Sequence, residues 1–265
     1  MTPHSATIAW QLVLDKLIHR GQPCAPRGQP ILELIGYSFT IDMKHPVVGN
    51  PKRKLGYKFM AAEAYWILMG DDRVETIAPY SKAIANFSGN GVTFDGAYGP
   101  KVVAQLEYVV QTLVNDRDTR QAVMTIWREN PGPSKDIPCT VAVQFLIRDG
   151  LLHCVDTMRS SDVWLGVPYD LFNFSMISMY VALRLREVGV HVELGTLTLQ
   201  AGSQHLYERN LKDAEDAYIC FDTLPGMAST AMTVSMFTSP EHLCNWLRTY
   251  REHGIDRWYE EQIYV

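Results

Sequence analysis

Apolar residues recur at helical spacing in four segments of the chain and alternate with polar residues in a fifth. Residues 7–20, 58–69, 101–114 and 170–187 have the period of helices. Residues 31–42, ILELIGYSFTID, alternate as a half-buried strand does. The pattern therefore predicts a protein that contains both helices and strands, with one acid, Glu63, inside an otherwise apolar helix.

A β-hairpin is the clearest local prediction. Two β-rich runs, at 141–147 and 151–158, are separated by a short segment that ends in Asp149-Gly150. An Asp-Gly pair between two such runs is typical of a two-residue hairpin turn. The hairpin gives the sequence at least one antiparallel strand pair.

The register of this hairpin brings a cysteine close to an arginine. Continued from the turn to the open end, it places Cys139 opposite Ser160 and beside Arg159. A neighbouring guanidinium favours the thiolate, which is the nucleophilic form of cysteine. Taken alone, however, a single cysteine is more often a small buried apolar residue than a nucleophile.

The order of the elements favours an α+β fold. Helices and strands do not alternate strictly, and a further strand is expected at 192–200. The polar, acidic last third indicates helices and loops. No linker, repeat or low-complexity segment divides the sequence, so residues 1–265 are predicted to form one domain.

Composition and charge narrow the function. A hydrophobic content of 47% is that of an ordinary globular protein, and a net charge of −5 argues against binding to duplex nucleic acid. No apolar run reaches the roughly eighteen residues of a membrane span, and the N-terminal segment does not resemble a signal peptide. We therefore expect no membrane association and a cytoplasmic location.

The cysteines and histidines predict neither disulfides nor a metal site. The five cysteines are widely spaced without a C-x-x-C pair, and the eight histidines show no ligand spacing. A small anionic ligand remains possible, because a few clustered arginines bind a phosphate whatever the net charge.

Single residues leave their roles open. Glu63 is either a buried proton-transfer group or an exposed residue, and Asp162 is either functional or the N-cap of the following turn. Arg159 could be a surface charge, and His205 and Tyr207 could lie at the edge of the core.

The order and spacing of several motifs together resemble thymidylate synthase. The resemblance covers roughly residues 27–210 and is weak beyond them. It rests on Pro138-Cys139, RSSDVWLGVPYD (159–170), HLY (205–207), Glu63, Ala97-Tyr98-Gly99 and Asp118-Thr119-Arg120.

The resemblance implies a fold, a reaction and partners. It implies a homodimer of α+β subunits with a large mixed sheet flanked by helices, one face of which forms the interface. The expected partners are a pyrimidine nucleoside monophosphate and a reduced folate. The co-substrate would be 5,10-methylenetetrahydrofolate, whose one-carbon unit is added to C5 of the base, and no metal is required.

The same resemblance implies roles for the residues that bind the nucleotide. Cys139 would be the nucleophile that adds to C6. Arg159 and Ser160 would hold the phosphate, together with Arg27 from a loop and Arg120 from the other subunit.

A second group would complete the site. His205 and Tyr207 would bind the sugar, Glu63 would organise water and protons around the base, and Tyr98 would line the catalytic cavity. Asp162 would contact the pterin and assist proton transfer.

The folate would also be bound by Leu165, Gly166 and Tyr169, which belong to the same motif as Asp162. Val265 matches the family's terminal valine, but the preceding WYEEQIY does not match. The resemblance therefore leaves closure of the tail over the folate open.

The most informative departure from the family is Asp170, which replaces an asparagine. Cytosine presents an N3 acceptor and an N4 donor, the reverse of uracil. A carboxyl at Asp170 can accept from N4 and, when protonated, donate to N3. This favours a cytidylate as substrate and a role for Asp170 in both binding and catalysis.

Other departures concern the reaction's outcome. KAIANFSGNG (82–91) lacks the tryptophans that shield the methylene intermediate in thymidylate synthase and offers Ile84 and Phe87 instead. Water could then capture the methylene group and leave a hydroxymethyl group. Thr140 replaces a histidine, and Gln121 replaces the second of two arginines, which could weaken the phosphate site.

We therefore expect a cytidylate 5-hydroxymethyltransferase that acts on dCMP or CMP. The alternatives are a dUMP 5-hydroxymethylase, an ordinary thymidylate synthase, and a catalytically silent relative that binds a nucleotide or RNA. Ribose and deoxyribose substrates are not distinguished by the sequence.

Overall fold

The computed structural model describes residues 4–132, 134–220, 222, 227 and 230–263. Val265 lies outside the described residues. Within them the chain forms helices α1 (Ala6–Arg20), α2 (Tyr57–Leu68), α3 (Val74–Ile77), α4 (Gly99–Asn115), α5 (Val167–Glu187), α6 (Leu211–Tyr218), α7 (Pro240–His253) and α8 (Ile255–Gln262).

The strands form one mixed sheet. They are β1 (Gln22–Cys24), β2 (Ile31–Asp42), β3 (Val123–Thr125), β4 (Thr140–Arg148), β5 (Leu151–Met158), β6 (Ser161–Asp162) and β7 (Glu193–Tyr207). Their order is β1-β2-β7-β5-β4-β3, with β6 beside β7. Strand β7 is antiparallel to β2 and parallel to β5 and β6. The expected α+β class and mixed sheet are confirmed.

The hairpin between β4 and β5 has the predicted turn. Asp149 and Gly150 both have positive φ angles, 50° and 73°, which is the backbone of a type I′ turn. The predicted register holds from Arg148 opposite Leu151 as far as Ala142 opposite Thr157.

Beyond that pair a β-bulge shifts the register by one residue. Thr140 pairs with Met158 because β4 carries an extra residue between Thr140 and Ala142. The prediction that Cys139 lies opposite Ser160 is therefore wrong. Cys139 lies opposite Arg159, whose backbone N–H donates to the Cys139 carbonyl at 2.8 Å.

Helix α5 is the central helix of the layer that covers the sheet. It is buried along most of its length, as expected of a helix that is apolar on all sides. Its first turn follows directly from Trp164-Leu165-Gly166, so the start of α5 lies next to the end of the β4–β5 hairpin. The open end of the hairpin, which carries Cys139, and the segment 159–170 thus meet at one end of the sheet.

The predicted helices and strands correspond to observed ones with shifts of a few residues at their ends. The largest differences are that α5 begins at Val167 and that β7 continues to Tyr207. The C-terminal third contains α6, α7 and α8, in which an aromatic cluster joins Trp246 to Tyr250 and Trp258. No helix in the described ranges is long and apolar enough to cross a membrane.

Candidate active site

The candidate nucleophile lies at the entrance of β4, against an arginine. Arg159 Nη2 is 3.8 Å from Cys139 Sγ. The guanidinium is held there by Nε, which donates to the Pro138 carbonyl at 3.0 Å, and by Nη2, which donates to Ile137 at 2.9 Å. Backbone carbonyls of the loop before the cysteine therefore fix the cation beside the sulfur.

Burial outweighs this cation in setting the acidity of Cys139. Desolvation raises the pKa of the thiol, Arg159 lowers it by a smaller amount, and Asp170 raises it further. Arg159 favours the thiolate, as expected, but burial opposes it and the pKa of the thiol is raised on balance. The balance would move towards the thiolate if another group compensated for desolvation.

Tyr98 lies behind the nucleophile. Its hydroxyl accepts a hydrogen bond from the Thr140 N–H at 3.1 Å, and its ring stacks on Phe174 of α5 at a centroid distance of 6.3 Å. Burial raises the pKa of Tyr98 well above its ordinary value. Tyr98 therefore remains a neutral hydroxyl that connects β4 to α5 at the site.

Glu63 is a partly buried acid. Its Oε2 accepts a hydrogen bond from Asn173 Nδ2 at 2.8 Å. Burial raises the pKa of Glu63 to about 7, and the Asn173 hydrogen bond opposes that shift. At neutral pH this carboxyl can both take up and release a proton, as a general acid or base must.

Asp170 lies in the first turn of α5, and its pKa is raised well above the ordinary range. Burial is the main cause, followed by the charges of Glu63 and Asp162. Among the described residues none donates a hydrogen bond to its carboxyl. A raised pKa favours the protonated carboxyl, which has both a donor and an acceptor to offer a ligand.

Asp162 has the capping role, one of the two between which the sequence did not decide. Its Oδ1 accepts from the backbone N–H groups of Trp164 at 2.8 Å and Leu165 at 3.0 Å, which makes it the cap of the turn that leads into α5. Burial nevertheless raises the pKa of Asp162, against the effect of those hydrogen bonds and of His205. The capping oxygen fixes the carboxyl in place beside the site.

His205 and Tyr207 lie at the end of β7. His205 is opposite Asp162 in the sheet, is 6% exposed, and has no partner for Nδ1 within the described part of the chain. Its ring meets that of Tyr207 edge-on at 5.3 Å, and the Arg209 guanidinium lies 3.9 Å above the Tyr207 ring. These side chains can offer a nitrogen and a hydroxyl to a polar ligand.

The residues expected to bind folate lie around the start of α5. Leu165 is 44% exposed, and Gly166 is the N-cap of the helix. The Tyr169 hydroxyl accepts from the Gly56 N–H at 3.0 Å, and its ring meets Phe59 edge-on at 5.2 Å. An exposed apolar side chain and two aromatic rings at one position suit a flat ligand.

The structure does not bring every predicted residue to the centre of the site. Arg27 is exposed in a turn before β2, with a φ of 54°, and Arg120 is exposed before β3. Ser160 follows Arg159 and is half-buried. Neither Arg27 nor Arg120 has a described side-chain contact with Cys139 or Arg159, so their phosphate roles stay predictions.

Three further residues lie near the predicted ones and were missed in the sequence. Asn173 binds Glu63, and its place three residues after Asp170 on an apolar helix could have identified it. Arg53 donates to the Trp164 carbonyl at 2.9 Å and lies 4.8 Å from that ring. Asp156, a fully buried acid of β5, had no sequence signal.

The arrangement suits covalent catalysis with proton transfer. One thiol and one cation lie on the hairpin, and three acids with raised pKa values lie on α2, β6 and the start of α5. No group of three or more possible metal ligands occurs in the ranges that the structure describes. The site can therefore supply a nucleophile and several exchangeable protons.

Comparison with known proteins agrees with this geometry. Residues 9–219 match the family model of thymidylate synthase. The chain is 25% identical over 224 residues to a thymidylate synthase of Buchnera aphidicola subsp. Baizongia pistaciae, an alignment that covers 78% of this chain and 81% of that protein.

Two phage proteins are also similar. The chain is 30% identical over 220 residues to a deoxyuridylate hydroxymethyltransferase of Bacillus phage SP01, covering 74% of this chain and 55% of the phage protein. It is 32% identical over 163 residues to a deoxyuridylate hydroxymethyltransferase of Pseudomonas phage M6, covering 58% and 45%. The chain spans about half the length of these two relatives.

The family model covers the hairpin, the start of α5 and the end of β7, which together carry the candidate nucleophile and the acids around it. On this evidence the chain belongs to the thymidylate synthase family.

Proposed function

We propose that this protein is a folate-dependent one-carbon transferase that adds a hydroxymethyl group to C5 of a cytidylate. The observation that carries the proposal is the carboxyl of Asp170 in the first turn of α5, which lies in the same site as Cys139 and Glu63 and whose pKa burial raises well above its ordinary value. The family and the two hydroxymethyltransferase relatives support the class of reaction.

The covalent step uses the hairpin side of the site. The thiolate of Cys139 adds to C6 of the base, which makes C5 nucleophilic. Arg159 lies 3.8 Å from the sulfur and favours the thiolate, and in this proposal it also contacts the nucleotide phosphate with Ser160. Bound 5,10-methylenetetrahydrofolate supplies the one-carbon unit that C5 accepts.

Asp170 recognises the base in this proposal by hydrogen bonds. A protonated carboxyl donates from its O–H to N3 of cytosine and accepts from the N4 amino group with its carbonyl oxygen. When Cys139 adds to C6, negative charge develops on N3, and Asp170 can transfer its proton there. Uracil carries a hydrogen on N3 and has no free acceptor at that position.

Glu63 activates the water that completes the hydroxymethyl group. Its pKa of about 7 lets the carboxylate accept a proton from water near neutrality. In this proposal the segment 82–91 lies over the site and offers little cover, since Phe87 is 58% exposed and Asn86 is exposed. Water therefore has access to the methylene group on C5, and the folate leaves as tetrahydrofolate.

The remaining residues position the two ligands. His205 and Tyr207 bind the sugar, while Tyr98 lines the cavity beside the nucleophile. The folate lies against the start of α5. It is held there by Asp162, Leu165, Gly166 and Tyr169.

A homodimer is part of the proposal. Ile35 of β2 is a large apolar side chain that is 85% exposed. A second copy packed over this part of the sheet would bury it. It would also give Arg120, which is exposed, a neighbouring site in which to bind a phosphate.

The test is a comparison of nucleotides. Purified protein is incubated with methylenetetrahydrofolate and dCMP, CMP or dUMP, and the products are identified by mass. We expect 5-hydroxymethylated dCMP or CMP, no rise in the absorbance of dihydrofolate, and no product from Cys139→Ala.

Two outcomes would contradict the proposal. Turnover of dUMP without turnover of either cytidylate would favour a uridylate hydroxymethylase, as the names of the two phage relatives suggest. Stoichiometric dihydrofolate with a methylated product would identify an ordinary thymidylate synthase.

A further inference from the structure

Asn173 is a buried polar residue of α5 whose amide donates to Glu63. Its Nδ2 lies 2.8 Å from Glu63 Oε2. The side chain is 5% exposed, and its Oδ1 is buried with no hydrogen-bond partner within the described ranges. Because an unpaired buried carbonyl lowers stability, packing alone would favour an apolar residue of similar shape at this position.

The hydrogen bond joins the two helices that carry acids of the site. Glu63 lies in the middle of α2, and Asn173 lies on α5, three residues after Asp170 and on the same side of that helix. Because both residues belong to helices rather than loops, the position of the amide relative to the carboxyl is well defined. The carboxyl of Glu63 is therefore held at one of its two oxygens.

This contact makes the two oxygens of Glu63 different. Oε2 accepts from Asn173, and no other side chain of the described residues forms a hydrogen bond that affects the pKa of Glu63. An oxygen that already accepts from an N–H is the poorer place for a proton, because an ionised carboxyl is an acceptor at both oxygens and a protonated one donates from the oxygen that carries the proton. The exchangeable proton of Glu63 thus belongs on Oε1, and the bond from Asn173 to Oε2 can persist in both protonation states.

Asn173 is also the one described group that favours the Glu63 carboxylate. Burial raises the pKa of Glu63 to about 7, the Asn173 hydrogen bond opposes that shift, and no charged side chain of the described ranges contributes to it. Asp170 is the titratable neighbour on α5, and the charge of Glu63 raises the pKa of Asp170.

We propose that Asn173 is a positioning residue that holds Glu63 at Oε2 and thereby leaves Oε1 as the oxygen that takes a proton from the attacking water. This inference rests on the proposed function of Glu63. In that step an O–H bond of water breaks, the proton goes to Oε1, and the water oxygen bonds to the methylene carbon. The electron pair of the methylene–C5 double bond moves into the ring and expels Cys139 as a thiolate. Oε1 then returns its proton to solvent.

Two variants of Asn173 separate this role from packing. Asn173→Leu keeps the branching of the side chain but removes the donor, whereas Asn173→Ser leaves a cavity but keeps a hydroxyl that can donate to Glu63 through a water. Activity should follow the donor: we expect kcat to fall about 10- to 100-fold in Asn173→Leu and less than about tenfold in Asn173→Ser, with KM changed less than about threefold in both. Tm should follow packing and be lower in Asn173→Ser.

The pH dependence gives a second readout, which a packing role would not change. Without the N–H donor the pKa of Glu63 should rise, so in Asn173→Leu the increase of the rate with pH should occur about one pH unit higher than in the wild type. The loss of Tm between pH 5 and pH 8 should also be larger, because the pKa in the folded state moves further above that of the unfolded chain. Adding Asn173→Leu to Glu63→Gln should change neither pH dependence.

Ser175→Ala is the matched control. Ser175 is a fully buried polar residue two positions further along α5, and its hydroxyl donates to the Leu171 carbonyl at 2.7 Å. Its substitution should leave kcat and the pH profile unchanged.

Three results would overturn the inference. They are a wild-type kcat and pH profile in Asn173→Leu, a loss of activity that follows Tm rather than the donor in the two variants, and the same loss from Asn173→Leu in Glu63→Gln as in the wild type. Failure of the proposed function is distinguishable, because it is measured by the product and base preference of the wild type, whereas the change of Tm with pH requires no substrate.

Discussion

The two sides of the candidate site differ in charge: one carries a fixed cation, and the other carries acids whose pKa values are raised by burial. On the hairpin side, Arg159 is a fixed cation whose guanidinium is bound by the carbonyls of Ile137 and Pro138 beside Cys139. On the acidic side, Glu63 and Asp170 lie close together, no cation among the described residues contributes to the pKa of either, and burial raises both pKa values.

This difference indicates a division of labour. Several carboxyls can share a buried site when most of them are protonated, because their mutual repulsion then disappears. The acidic side can therefore hold protons near neutral pH, whereas the hairpin side carries the candidate nucleophile and a permanent positive charge. The first side can transfer protons to and from a base, and the second can bind it covalently.

The largest expected effect comes from the hairpin side. Cys139→Ser should lower turnover below detection, because a serine hydroxyl ionises far less readily than a thiol and is a much weaker nucleophile near neutral pH. Binding of the nucleotide should persist, since the Arg159 guanidinium is held by backbone carbonyls rather than by the thiol. Isothermal titration measures binding, and intact mass measures the covalent adduct. An adduct in the serine variant would contradict the assignment.

On the acidic side, Glu63→Gln should lower kcat about 10²- to 10⁴-fold, the usual contribution of a general acid or base. The wild-type rate should rise with pH through about 7 as Glu63 ionises, and the variant should lose that rise. Steady-state rates between pH 5.5 and 8.5 test both points. Glu75→Gln, on the exposed face of α3, is the control; an identical pH profile in wild type and Glu63→Gln would argue against Glu63.

Asp170→Asn tests the acidic side more closely. The substitution keeps the shape of the side chain, but the amide cannot gain or lose a proton. We expect the ratio of kcat/KM for cytidylate over uridylate to fall about 10- to 100-fold, as a base contact of about 1–3 kcal/mol implies. Competition between dCMP and dUMP in one reaction measures the ratio directly. An unchanged ratio would mean that another residue reads the base.

The hairpin side could be predicted from the sequence because its determinants are local. The Asp149-Gly150 pair fixes the turn, and the turn fixes the register as far as Ala142. The bulge at the end of β4 could not be predicted, since alternation in this segment is compatible with either register. Because of that one-residue shift, Arg159 rather than Ser160 lies opposite Cys139.

The acidic side was harder to predict because its properties depend on burial by distant elements. The motif around Asp162 and Asp170 can be recognised in the sequence. The effect of Glu63 on the pKa of Asp170 cannot, because Glu63 lies on α2 and Asp170 on α5, far apart in the chain. Asp156 lies in a strand whose two faces are similarly polar in sequence, so its burial was not visible. The raised pKa of Cys139 likewise follows from packing around it.

The smallest effect that we predict is on stability, and it tests the acidic side without any substrate. The pKa of Glu63 is about 7 in the folded protein and near 4.5 for an ordinary glutamate, so the folded state keeps a proton that the unfolded state loses between these values. The resulting stabilisation is complete below about pH 4.5 and is lost as pH rises through 7.

Because glutamine does not ionise, the stability of Glu63→Gln relative to the wild type should be higher at pH 8 than at pH 5, by a few degrees in Tm at most. Thermal unfolding at both pH values measures that gain, and a difference in Tm that is the same at pH 5 and pH 8 would show that Glu63 is not a shifted acid.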